Sequence, residues 1–98
     1  MKNADLALEQ FEAIAEEDPR LETAEEFVHA ALSLDRAEEA YVHAKAAAAK
    51  WPDAARAQLL LGIAAKATNR IDEARAAFEK ALALDASLEE ATAELKSL

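Results

Sequence analysis

The chain has 98 residues and a formal net charge of −9, enough for one modest core and too little for a cleft between two domains. Hydrophobic residues make up 53% of it, which excludes disorder, but 28 of them are alanine and only five are aromatic, so the core must come from close helix approach. One glycine, two prolines and scarce β-branched residues argue against any sheet, and the chain reads as all-α.

Helical periodicity comes in pieces of 11 to 15 residues, broken at Asp18-Pro19-Arg20, Leu34-Asp35, Trp51-Pro52-Asp53, Asn69 and Asp85-Ala86-Ser87. That pattern predicts about six helices. In the first, over about 3–17, Leu6, Ala7, Phe11, Ile14 and Ala15 share one face, while Glu9, Glu12, Glu16 and Glu17 lie mostly on the other. Pro19 ends that helix near Asp18, because proline lacks an N–H and pushes the residue before it out of the helical region. Pro52 repeats the signal after Trp51. Asn69, which tolerates a left-handed backbone, stands where the fourth helix must reverse into the fifth, in place of the usual glycine. Helices this short are not stable alone, and links of two to four residues set consecutive helices antiparallel. The expected architecture is therefore a stack of helical hairpins.

The chain also repeats itself. A shift of 34 residues lays Glu39-Ala40 on Glu73-Ala74, Phe27 on Leu61, Ala31 on Ala65 and Ala47 on Ala81. The half-unit before it matches at a shift of 33, with Ala7 over Ala40, Ile14 over Ala47 and Pro19 over Pro52.

With this period, the chain resembles the tetratricopeptide repeat family, whose signature runs W-x-x-L-G-x-x-Y, then A-x-x-x-F, then P. In the later repeat Gln58-Leu59-Leu60-Leu61-Gly62-Ile63-Ala64-Ala65 stands at the first-helix motif, with Gln58 replacing the Trp and Ala65 the Tyr. Ala74-Arg75-Ala76-Ala77-Phe78 matches the second-helix motif outright, and Ala81-Leu82-Ala83-Leu84-Asp85 looks like its usual ending, with Ala86 replacing the proline. In the earlier repeat Ala24, Phe27, Val28 and Ala31 fill the first helix, Ala40 and Ala44 the second, and Pro52 is retained; Ala44 for Phe is the largest departure. The resemblance covers nearly the whole chain, as one domain over 1–98. It implies an unpaired second helix over 3–17, repeats over 21–54 and 55–86, and a terminal helix over 87–98, stacked as a short right-handed α-solenoid. Gly62 and the alanines at 31, 40, 47, 65, 74 and 81 are expected to let helices approach, with Phe11, Phe27, Leu61, Phe78 and Leu82 filling the remaining space. Such a stack needs about three units and polar ends. Starting inside a repeat thus implies either a piece of a longer array or a second copy covering the open face beside the first helix.

Residues 1 to 50 carry 5 basic and 12 acidic side chains, and residues 51 to 98 carry 6 and 8. A field of this sign repels phosphate backbones and anionic membrane surfaces, so neither nucleic acid nor membrane is an expected partner. No run approaches the roughly 20 apolar residues of a membrane span, and Met1-Lys2-Asn3-Ala4-Asp5-Leu6 lacks the apolar stretch of a secretory signal. With no cysteine there is no disulfide, thiolate nucleophile or Cys-ligated zinc, and the compartment stays open.

Catalytic constellations read weakly. Glu26-Phe27-Val28-His29 has Glu-x-x-His spacing, but a di-iron bundle needs two such copies and two further Glu residues, and His43 has Ala40 where its Glu should stand. A solvated Glu beside an ordinary His is the plainer reading, and no metal or other cofactor is expected. The pairs Glu16-Glu17, Glu25-Glu26, Glu38-Glu39 and Glu89-Glu90 do not share helix faces. Together with Glu22 and Asp72-Glu73 they read as a solvated surface or first-turn acids favoured by the helix dipole. No nucleophile elbow, phosphate loop or Ser, His, Asp set is visible, so no enzymatic activity is expected. Trp51 reads as packing under the following repeat, with an interface role as the alternative, and Tyr41 similarly. Ala46 to Ala49 is helix-forming sequence without chemistry of its own.

The resemblance further implies that the first helix of each repeat lines a concave groove, and helical spacing then assigns to that face Glu22, Glu25, His29 and Leu32, followed by Arg56, Leu59, Ile63 and Lys66. Some relatives grip a peptide carboxylate with a Lys and Asn clamp. Here Glu25 and His29, then Leu59 and Ile63, occupy those places, so that clamp is not expected. Acids on one side, Leu59 and Ile63 in the middle and Lys66 with Arg70 at an edge suit a peptide with apolar anchors and some basic residues. The expected function is a non-catalytic protein-interaction module; the alternative is a self-association or spacer piece of a larger repeat protein.

Overall fold

The computed structural model describes residues 21–98, which form five α-helices and no strand: α1 (Leu21–Ser33), α2 (Ala37–Lys50), α3 (Ala55–Ala67), α4 (Ile71–Leu84) and α5 (Glu89–Ser97). The helix expected over 3–17, the break at Asp18-Pro19-Arg20 and the expected burial of Phe11 fall outside these residues. The other four expected breaks coincide with the four connections between helices.

The 34-residue period is present in the backbone itself. Helices α1 and α3 have 13 residues each and begin 34 apart, and α2 and α4 have 14 each and also begin 34 apart. Even the turns repeat. Among the described residues Asp35 (φ 61°) and Asn69 (φ 64°) are the two left-handed ones. After α1 the Arg36 N–H donates to Ala31 O at 2.7 Å and the Asp35 N–H to Leu32 O at 3.2 Å; after α3 the Arg70 N–H donates to Ala65 O at 2.8 Å and the Asn69 N–H to Lys66 O at 3.0 Å. This pair of bonds is the Schellman closure, which satisfies carbonyls at the helix end and needs a left-handed residue that is usually glycine. Asp and Asn are the non-glycine residues that adopt it at least cost.

The turns fold the helices into antiparallel pairs. The Phe27 ring of α1 meets the His43 ring of α2 with centroids 4.0 Å apart, and Gly62 of α3 lies against Phe78 of α4. A Cβ on Gly62 would stand 2.5, 2.7 and 2.8 Å from three atoms of the Phe78 ring, so glycine is what lets these two helices close. Each helix contacts the next; α1 also contacts α3, and α3 contacts α5, whereas the backbones of α2 and α4 stay apart. Long side chains bridge that gap. The Tyr41 hydroxyl lies 2.6 and 2.8 Å from the two Glu73 carboxylate oxygens, the Arg70 guanidinium stacks 4.0 Å over the Tyr41 ring, and Arg70 donates to Glu38 at 3.2 and 3.4 Å. The hydrogen bond from Arg70 to Glu38, together with the nearby charge, holds the guanidinium pKa above its ordinary value.

Eight of the fourteen residues in the core cluster are alanines, and the largest fully buried side chains are Phe27, Phe78, Leu60 and Val28. Gly62 and the alanines at 31, 40, 47, 65, 74 and 81 are buried as expected, as are Phe27 and Phe78. Leu61 and Leu82 are only half-buried, which corrects the expectation that they fill the core. Phe27 enters the first hairpin from α1, opposite the small Ala44 of α2, while in the second hairpin the ring comes from the other side, Phe78 of α4 lying over Gly62. Leu61 repeats the Phe27 position in a hairpin whose space Phe78 already occupies. Trp51 is half-buried at the end of α2, with the Lys50 ammonium 5.0 Å from its ring centre.

Candidate functional site

Helices α1, α3 and α5 present one common face. Glu25 and His29 lie one turn apart on α1, and Arg56, Leu59, Leu60 and Ile63 recur at three- and four-residue steps along α3. Together with Leu88 and Glu90 at the start of α5 they line a pocket of about 310 Å³, the size of a small ligand site. Its floor is aliphatic, with Leu59 and Leu60 buried and Ile63 and Leu88 half-buried. Its rim is charged.

Arg56 Nη2 donates to Glu25 Oε2 at 2.7 Å, tying α3 to α1, although the Arg56 side chain is 62% exposed while that of Glu25 is 15% exposed. An ion pair with so exposed a partner contributes less than about 1 kcal/mol. The other oxygen, Glu25 Oε1, is buried and accepts no hydrogen bond. A buried acceptor left in that condition costs about 1–3 kcal/mol, which makes Glu25 the one side chain with an unmet bonding need among the described residues.

Of the eight residues expected on a groove, the structure brings Glu25, His29, Arg56, Leu59 and Ile63 to this pocket. The remaining three lie elsewhere. Glu22 is exposed in the first turn of α1, Leu32 packs half-buried against the core, and Lys66 donates to Glu94 Oε2 at 3.0 Å and Ser97 Oγ at 2.9 Å on α5. Arg70, expected with Lys66 at the groove edge, is instead turned onto Glu38 and Tyr41 of α2. Leu60, Leu88 and Glu90 are lining residues that the sequence reading did not select. Glu90 lies one further step of 34 beyond Arg56 and could have been found from the period alone.

Among the described residues, other depressions flank the molecule. One of about 220 Å³ lies on α2 among Glu38, Glu39, Val42 and His43; another, of about 470 Å³, lies on α5 between Ser87 and Lys96. Each is built along one helix, and neither combines an aliphatic floor with an unsatisfied buried group.

Among the described residues no group of three His, Asp or Glu side chains is placed to hold a metal ion, and no helix is long and apolar enough to cross a membrane. His43, the second histidine, packs against Phe27. No protein-family model matches the chain, and no curated protein matches it.

Proposed function

We propose that this chain is a protein-interaction module, a short tetratricopeptide-like stack that holds a segment of another protein against α1, α3 and α5 and performs no catalysis. The observation that carries the reading is the pocket with its aliphatic floor of Leu59, Leu60, Ile63 and Leu88 and its charged rim of Glu25, Arg56 and Glu90. Recognition sites for extended or helical peptides combine such a floor, which supplies affinity, with polar groups that fix register. Support for a solenoid comes from the repetition of helix lengths and turns at 34 residues. It also comes from close contact between alternate helices on the pocket side and the wider spacing of α2 and α4 behind them, which is the wedge a curved stack requires. The test is selection of peptides from a displayed random library on the wild-type chain and, in parallel, on Ile63→Asp. Peptides enriched on the wild type and lost on a folded Ile63→Asp variant support the module; enrichment unchanged by that substitution rejects the pocket as the binding face.

The exposed aliphatic side chains Val42 and Leu84, 61% and 40% exposed, favour a second reading, self-association through the outer helices. Light scattering across a concentration series separates the two, because a dimer that Val42→Asp dissociates belongs to the second reading alone.

A further inference from the structure

From the unpartnered oxygen of Glu25 we infer the chemistry of the occupant: a partner segment that presents an aliphatic side chain beside a lysine or arginine, whose cation bonds Glu25 Oε1. This rests on the interaction-module reading above and adds a ligand class to it.

The charge count at the rim sets the sign. Glu25 and Glu90 contribute two carboxylates and Arg56 one guanidinium, so the rim holds one more acid than base. Arg56 already occupies Oε2, which leaves Oε1 as the open acceptor. The carboxylate is rigid and turns as a unit about its broad terminal torsion, so a cation that draws Oε1 out of its buried position does so by taking Oε2 away from Arg56. The aliphatic stem of a lysine or arginine lies naturally along apolar surface while its head reaches a carboxylate, and Leu59, Ile63 and Leu88 supply that surface. An acidic segment meets the opposite arrangement and the overall charge of −9. Arg56 thus acts as a resident competitor for the carboxylate: it steadies Glu25 when the pocket is empty and lowers affinity for an incoming cation.

The experiment is a nuclear magnetic resonance titration of the isotope-labelled full chain with two short blocked peptides, one carrying a leucine pair flanked by lysines and the other with those lysines replaced by glutamates. The lysine probe is expected to shift the amides of His29, Leu59, Ile63 and Leu88 saturably and to bind roughly tenfold or more tightly than the glutamate probe, the factor one charge-assisted hydrogen bond supplies. Glu25→Gln, shown to be folded by its circular dichroism, should weaken the lysine probe about tenfold, and Arg56→Gln should tighten it, an outcome that a merely structural Arg56 would not give. Equal binding of both probes at the pocket overturns the assignment of Glu25 while leaving the interaction module standing. Shifts confined to acids on α2 and α4 overturn it as non-specific attraction. A lysine probe that leaves the four amides unmoved overturns both the inference and the pocket as a groove for this chemistry, and shifts that follow protein concentration rather than peptide assign the pocket to a second copy.

Discussion

Replacing Gly62 by alanine sets two effects of known size against each other. In a helix interior the substitution gains about 1 kcal/mol in propensity. Against this, the new Cβ would lie 2.5 to 2.8 Å from three atoms of the Phe78 ring, all well inside contact distance, and Phe78 is fully buried with no solvent into which to retreat. Overpacking of a close-packed core costs about 1–3 kcal/mol, and three simultaneous ring contacts place this site in the upper part of that range. The net expectation is a loss of about 1–2 kcal/mol, read as a fall of roughly 5–10 °C in the thermal midpoint for a domain of this size. Circular dichroism melts and urea titrations of the same samples measure it. Phe78→Leu alone opens a cavity and also destabilises, but the new methyl group fills part of that space in the Gly62→Ala/Phe78→Leu pair. The double variant should therefore be at least about 1 kcal/mol more stable than the sum of the single losses. A Gly62→Ala protein that melts higher than wild type, or strictly additive losses, would refute the idea that this glycine sets the α3–α4 distance.

The left-handed turns give a second test: Asn69→Ala and Asp35→Ala should each cost about 1 kcal/mol, whereas glycine at either position should stay within about 0.5 kcal/mol of wild type, as followed by urea midpoints. Helix α3 starts after Ala54, which has extended dihedrals and no capping side chain, and it has no acid in its first turn. Ala54→Asp should therefore stabilise the protein by about 0.5–2 kcal/mol in the same assay. Tyr41→Phe removes the only hydrogen bond described between α2 and the α4 carboxylate of Glu73. Because that carboxylate is 35% exposed and water takes over part of the bond, the loss should be about 1 kcal/mol.

Features governed by local chemistry were legible in the sequence. Pro52 and Asn69 each mark a helix end, and the alanines at 31, 40, 65 and 74 mark the faces along which helices meet, because a small residue every few positions has one structural use in an amphipathic helix. The register of 34 was visible for the same reason. Properties set by what lies across an interface were not legible. Leu61 occupies the position of Phe27 in the repeat, yet its burial depends on whether the facing helix brings an aromatic ring, which no pattern within α3 reveals. Long side chains escape periodicity altogether: Lys66 has the correct position to face the pocket but reaches Glu94 and Ser97 instead, and Arg70 finds a ring and a carboxylate on α2. The orphaned oxygen of Glu25 is of this kind too, since only the placement of Arg56 shows which half of the carboxylate is taken.

Helix α3 touches all four of the other described helices, whereas α5 meets only α3 and α4, and α1 meets only α2 and α3. Apart from the side-chain bridge of Tyr41 and Glu73 between α2 and α4, traffic between the two ends passes through this one segment. Amide protons of α3 should accordingly be the slowest to exchange, opening only when the whole assembly opens, while those of α5 exchange through local fraying. Mutational tolerance should follow the same gradient: sequence drift can accumulate at the outer helices, while almost any change in the interior of α3 is felt by every neighbour at once.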